Sequence, residues 1–433
     1  MRYFYLCLIL ILFFVPVLAE DNNLHLLQEK SYLKVEISNG LTLNEAIQLG
    51  IGNNLEIKAK ESEVKLGEAA IKTAAARQNL FLEGSESRSE NTYYGSLNYL
   101  IETGGKRKKR IEVAKNRFEA IKKDYESTVW DIRTTVRQLY TKLAVDLEWL
   151  KVKEDRVALN EQLVNIAKKR FEAGDVPNVD IKLAQQALLN SRADLISFKN
   201  EIVNDRINLN IKLSLGPNAI WPVETAISEL STIPEIKPKQ ELIDKAITTK
   251  PLIKQALFNI QSAQAELRLA KSLRIPNIKE NLAVVTSNAL NTSTSSPDNF
   301  TTSVRADTEV ELPIFNRYQG PIAEAKARIE KFLNERNMLV QQIAGDISTA
   351  FERLKSVQER LELARSNVNS SKEITDLTQE GYTFGRMNLL QVLTAKQNLK
   401  LAQDNFYTTL IDLQNSVGEL ERSIGLSLNE VTS

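Results

Sequence analysis

Few side chains in this sequence are equipped to make or break bonds. There is one histidine, His25, and one cysteine, Cys7, and no HExxH, GxSxG or Walker-type glycine loop accompanies them. A thiolate nucleophile and a soft-metal site draw on histidine and cysteine, which are nearly absent, so no catalytic residue, no metal site and no cofactor is assigned. Carboxylates are plentiful, but Asp+Glu 55 are balanced by Lys+Arg 56, for a formal net charge of +1. They fall among lysines and arginines at helix-surface spacing, the pattern of a solvated helical face. The balance leaves no global field to attract nucleic acid.

The polar side chains that remain candidates for a function occur first in the segment Phe300–Leu312. Ser303, Arg305, Asp307, Glu309 and Glu311 alternate there with positions that are apolar or threonine. Period two means a strand with one oily and one wet face. Tyr93, Gly95, Leu97, Tyr99 and Ile101 repeat the pattern more weakly. Leu80–Ser89 and Ile278–Ser287 are the expected partners, joined through Glu90–Thr92 and the longer loop Asn288–Asn299. Strands of about ten residues can cross a bilayer when tilted, but lipid offers nothing to an unpaired edge. Four strands therefore make either a small soluble sheet or one share of a barrel pooled from several chains. In the barrel, Val304, Ala306, Val310 and Leu312 face lipid, and Arg305, Asp307 and Glu309 face the lumen.

The second group of candidates lies in two turns that are copies of one another. Arg170-Phe171-Glu172-Ala173-Gly174-Asp175 corresponds in pattern to Gly381-Tyr382-Thr383-Phe384-Gly385-Arg386, and Ile111–Lys115 corresponds to Ile322–Lys326. The whole chain divides on that repeat: 1–19 a secretory signal, 20–40 a tail, 41–216 a first repeat, 217–240 a Pro-containing linker, 241–425 a second repeat and 426–433 a second tail. Each repeat has a strand pair, about 80–101 or 278–312, and a long helical hairpin turning at about 171–178 or 381–388. Residues Ile343, Ile347, Ala350, Phe351, Leu354, Val357, Leu361, Ala364 and Val368 step by four and three, a left-handed coiled-coil seam. Ile181, Leu188, Leu195, Ile202 and Leu209 recur every seven, as do Leu399, Phe406, Leu413 and Leu420. A helix running from near Lys106 to near Phe171 reaches on the order of 100 Å.

The first nineteen residues, with Arg2, an apolar run and Pro16-Val17-Leu18-Ala19, read as a removed export signal; the alternative is an uncleaved anchor. Cys7 lies inside that segment, and Phe4-Tyr5-Leu6 lacks the small residue a lipidation site requires.

Taken together, the opening Leu41-Thr42-Leu43-Asn44-Glu45-Ala46-Ile47, the junction Glu102-Thr103-Gly104-Gly105-Lys106-Arg107 and the two glycine turns resemble the TolC-like outer-membrane efflux proteins. The resemblance runs from about Leu41 to Gly425. It implies a mainly α chain with transmembrane β structure, assembled as a homotrimer with a twelve-stranded barrel in the outer membrane and a twelve-helix periplasmic tunnel. It further implies a periplasmic membrane-fusion adaptor, an inner-membrane pump of the RND type and outer-membrane lipid as partners. The Gly-Gly-Lys-Arg junction looks most like the CzcC-like branch that serves heavy-metal cations; the same Lys106–Arg110 cluster also reads as interfacial anchoring or plain solubility.

By the same resemblance the turns are the periplasmic aperture. Asp180 falls at a position that carries an acidic constriction in the family, and Tyr382 matches an aromatic involved in closure. The second copy departs from the pattern, with Gln391 and Thr394 at acidic positions and Arg386 displaced by one. Asp175 and Arg386 are set opposite one another by the repeat and are expected to pair between neighbouring hairpins. Phe171, Gly174, Phe384 and Gly385 are expected to meet the adaptor. The competing reading from another class is a periplasmic coiled-coil adaptor or spacer; within the family, the alternatives are a multidrug or type I secretion duct.

Overall fold

A computed structural model of the protein describes residues 40–87, 92–232, 236–288 and 300–428. The expected signal with Cys7, the tail with His25, Pro234 and most of the loop between the third and fourth strands lie outside these residues. The duplication is plain in the helix lengths. Helices α1 (Leu43–Asn53) and α2 (Leu55–Ala75) have 11 and 21 residues, and α6 (Lys239–Thr249) and α7 (Pro251–Ser272) have 11 and 22. Strands β1 (Phe81–Ser87) and β2 (Thr92–Ile101) follow the first pair, and β3 (Ile278–Asn288) and β4 (Phe300–Val310) follow the second. Each strand pair leads into a long hairpin: α3 (Lys106–Glu172, 67 residues) with α4 (Asn178–Lys212, 35 residues), and α8 (Gln319–Thr383, 65 residues) with α9 (Leu389–Ile424, 36 residues). One short helix, α5 (Ile227–Leu230), sits in the connection. Both long helices run unbroken because neither holds a proline beyond its first turn.

α3 packs against α2, α4, α7 and α9, while α8 packs against α7 and α9. The helices therefore form one layer of four columns: α2 with α4, then α3, then α7 with α9, then α8. Side chains fix where the short columns meet end to end. Asn54 caps α2 and donates through Nδ2 to the carbonyl of Lys212 at the end of α4, 2.9 Å away. In the second copy Lys250 Nζ donates to Ser423 O, 2.9 Å, near the end of α9. The counted seam is the core of the layer: Ile343, Ile347, Ala350, Leu354, Val357, Leu361 and Ala364 are all buried.

One face of the layer carries a belt made of α1, α5, α6 and the connection between the repeats. Its centre is Tyr140, whose hydroxyl donates to Leu41 O, 2.6 Å, and whose ring stacks on Trp221. Leu41, Ala46, Ile47, Leu230, Leu242 and Ala246 close around it. The second repeat begins its helix at Lys239, with Pro238 as the N-cap at φ −53° and ψ 139°, where its missing N–H breaks no helical bond.

Candidate functional site

The four strands form one antiparallel sheet in the order β1-β2-β3-β4. Register places Leu82, Leu97, Leu282 and Ala306 in one row and Gly84, Gly95, Val284 and Val304 in another on the same face. Asn98, Asn281 and Asp307 share the opposite face with Ser96, Ala283 and Arg305 and with Lys279 and Glu309. The oily face is open, with Val304 71% exposed, and the polar face is open at its charged residues, while Ser96 and Ala283 between them are 2% and 1% exposed. An exposed oily face backed by a face of small and charged residues is the pattern of a lipid-facing strand set. Arg305 binds Asp307 at 2.9 Å and Lys279 binds Glu309 at 3.0 Å on the polar face. Glu280 departs from the pattern; it lies on the oily face and accepts from Thr308 at 3.0 Å. The fourth strand is shorter than the alternation suggests. It stops at Val310, and Leu312 lies past its end, because Pro313 supplies no ladder N–H and restrains the residue before it.

At the strand-to-helix corner the basic cluster is spent on the protein itself. Gly104 and Gly105 take φ of 64° and 67°, left-handed values suited to glycine. The buried Lys106 ammonium donates to Ile275 O and Asn277 Oδ1, tying the first corner to the second. Arg107 donates to Ala75 O, Lys109 to Gly104 O, and Arg110 pairs with Glu102. These contacts make the cluster a brace for the corner; only Lys108 in it is exposed.

The two hairpin tips are built alike. Gly174 N bonds Phe171 O and Asp175 N bonds Arg170 O, both at 2.9 Å; Gly385 N bonds Tyr382 O at 3.1 Å and Arg386 N bonds Gly381 O at 2.8 Å. Each is a Schellman ending with glycine at φ 78° or 71°. Phe171 and Phe384 are exposed beside them. Asp175 and Arg386 are also exposed, and among the described residues no ion pair joins them within one protomer. Gln391 is engaged by its own helix: it completes a capping box with Asn388, with bonds of 2.9 and 3.0 Å.

Tyr382 is the candidate that the structure ties most firmly. It is 0% exposed, its ring lies under the Arg170 guanidinium at 4.6 Å, and Arg170 Nη1 donates to Tyr382 O at 2.9 Å. Burial pushes the phenol above its ordinary value, and the Asp180 carboxylate adds to the shift. Arg170 thus links the first tip to the second, a role that a single copy of the turn motif does not reveal.

A further polar group sits on the layer face opposite the belt. At 100° per residue, Lys142 and Trp149 point about 160° and 180° away from Tyr140. Lys142 pairs with Asp146 at 3.0 Å, with Glu201 at 3.1 Å and with Asp205. The three acids hold oxygens within 4.8 Å of one another, a spacing that would suit a cation, and the Lys142 ammonium fills it. One ammonium serves three carboxylates, so burial prevails at Asp146 and pushes its pKa up to about 7. Lys142 and Asp146 stand on α3 and Glu201 and Asp205 on α4, so a heptad count along either helix does not show that they meet.

No described helix is long and apolar enough to cross a membrane. The family described as outer membrane efflux protein matches residues 46–213 and 242–426. The cobalt-zinc-cadmium resistance protein CzcC of Cupriavidus metallidurans is 23% identical over 401 residues, covering 90% of this chain and 91% of that protein. The toluene efflux pump outer membrane protein TtgC of Pseudomonas putida is 22% identical over 298 residues, 67% of this chain and 60% of its own. Among solved structures, CusC superposes with a TM-score of 0.75 at 17% identity, covering 89% of this chain and 92% of that one. VceC of Vibrio cholerae gives 0.71 at 16% identity, covering 89% and 96%. Matched over both of its repeats, the chain belongs to the outer membrane efflux protein family.

Proposed function

We propose that three copies of this chain close into one duct, a twelve-stranded barrel in the outer membrane continued by a twelve-helix tunnel. The observation that carries this reading is the set of unpartnered edges. β1 and β4 end the sheet on either side, and unpaired backbone groups are costly in lipid, where no water replaces the missing partner. The helical layer has matching edges. Leu189, Ile196 and Val203 stand exposed at seven-residue steps on α4, and Leu363, Ile374 and Leu377 stand exposed on α8. Each column is the outer one of its layer, so one copy's α4 stripe faces the next copy's α8 stripe in a head-to-tail contact that closes by rotation. With the belt outside, the Lys142 face lines the bore.

The solute passes unchanged. It enters at the tips, where Asp175, Asp180, Tyr382, Arg386 and Gln391 surround the aperture, and leaves past Arg305, Asp307 and Glu309 in the barrel lumen. A periplasmic membrane-fusion adaptor meets Phe171, Gly174, Phe384 and Gly385, and an inner-membrane pump of the RND type supplies the energy. Heavy-metal divalent cations are the proposed cargo, because the relative named for cobalt, zinc and cadmium resistance is matched over 90% of this chain. The bore chemistry is compatible: Lys142 keeps the nearby carboxylates occupied, so a cation is guided without being retained. Deleting the gene and measuring growth on cobalt, zinc and cadmium salts tests the cargo. Sensitivity to the metals supports it, whereas sensitivity only to toluene or antibiotics transfers the duct to organic solutes, the cargo that the TtgC relative is named for.

A further inference from the structure

Two apolar patches remain at the helix-side ends of the edge strands. Beyond β4, Leu312, Ile314 and Phe315 are exposed, Phe315 at 94%. At the start of β1, on the other edge of the same protomer, Leu80, Phe81 and Leu82 are exposed as well. The Phe315 segment is braced rather than loose: Ile314 N bonds Leu312 O at 2.9 Å, Tyr318 N bonds Asn316 Oδ1 at 3.0 Å and Arg274 Nε bonds Arg317 O at 3.1 Å. A phenylalanine held outward by a fixed segment is preorganised for a partner.

Phe81 decides which partner. Register puts it opposite Asn98, in the row that continues to Asn281 and Asp307. That is the polar face of the sheet, so lipid, which covers the oily face, does not reach it. We propose that the Phe315 patch of one copy packs against the Phe81 patch of the next, an apolar clasp at the base of the barrel. This rests on the duct reading, which already pairs β4 with the next copy's β1. β4 runs toward the helices and β1 away from them, so antiparallel pairing of the two brings these ends to the same side. The clasp covers exposed apolar side chains where the edge strands pass into the helices, the place where a barrel edge would otherwise fray. Two phenylalanines meeting there remove a large apolar area from water, on the order of 150–250 Å² for each ring.

The test uses Phe81→Cys and Phe315→Cys together in a Cys7→Ser background, which leaves no other thiol in the chain. Oxidising isolated outer membranes should give covalent dimers and trimers on a denaturing gel, and either single variant should give neither. Absence of the ladder while the doubly substituted protein keeps the parent's oligomeric mass in detergent would overturn the clasp and leave the duct standing. Loss of oligomers in the parent itself would instead remove the duct reading. Should the double variant fail to assemble, Phe315→Leu and Phe315→Asp decide. The aspartate should lower the temperature at which heated oligomers dissociate and the leucine should not, while equal behaviour of both with the parent contradicts the clasp. Quenching of a fluorophore at position 315 by brominated lipid would show lipid as the occupant and overturn the proposal too.

Discussion

At the scale of single residues, three sites separate position from chemistry. Val304 and Asp307 lie three positions apart on one strand, yet register puts them on opposite faces. Val304→Arg should cost about 2–4 kcal/mol of insertion if its row sits at mid-bilayer depth. Asp307→Arg should assemble normally and shift ion selectivity; equal assembly of the two variants, read from heat-resistant oligomers, would contradict the facing. The tip glycines make a second case. Nothing lies within 4 Å of a Cβ added at Gly174, so Gly174→Val costs only backbone strain, roughly 1–2 kcal/mol for a left-handed residue. Assembly should survive and pump-dependent efflux should fall, because the tip geometry changes and the rest does not. Asp146 is the third. Its proton is held to about 7 when folded against an ordinary 3.8, so the folded chain binds the extra proton between those values. The stability it contributes is full below 3.8 and is lost as pH rises through 7. Thermal melts between pH 5 and 8 should therefore decline more steeply for the parent than for Asp146→Asn, and parallel curves would show that this carboxyl does not titrate there.

At the scale of elements, the sequence was legible wherever a period ran long enough to count. The strand alternation, the Ile343–Ala364 seam and the two glycine turns all read correctly because each repeats one local rule many times. What was not legible depends on partners far apart in sequence. Arg170 lies in a turn motif, but its meaning comes from Tyr382, which only folding brings within 4.6 Å. The Lys106–Arg110 cluster reads in sequence as a CzcC-like junction or as an anchor or solubility patch, and its role as a brace is hidden because the acceptors of Lys106 and Arg107, Ile275, Asn277 and Ala75, are backbone or amide groups without a charge signature. The outer stripes were hidden too: Leu189, Ile196 and Val203 sit one residue after the counted Leu188, Leu195 and Ile202, and heptad reading keeps only the seam. Their exposure makes them testable. Ile196→Glu or Leu363→Glu should weaken copy-to-copy association without loss of helix content in circular dichroism, whereas undiminished association in both would leave the stripes without a role. Arg170→Ala should leave both hairpins folded, remove a cation–ring contact worth about 0.5–1 kcal/mol, and raise the resting conductance of the channel.

At the scale of the whole molecule, duplication explains why one chain presents two unlike edges. Each repeat contributes a strand pair, a short column and a long column, and fusing two repeats leaves β1 with α4 on one side and β4 with α8 on the other. A protomer of that kind is an open sector: ring closure pairs its two strand edges and covers its helical stripes, while the oily strand face is left to lipid. A duct needs length, a wet wall and a closable mouth. Length comes from α3 and α8, about 100 Å each at the rise of an α-helix. The most direct test of the account is the mass of the protein extracted from outer membranes in mild detergent, measured by sedimentation with the bound detergent subtracted. Three chains in one particle that also conducts ions across a planar bilayer are the expected result. A single chain that stays soluble without detergent would contradict it.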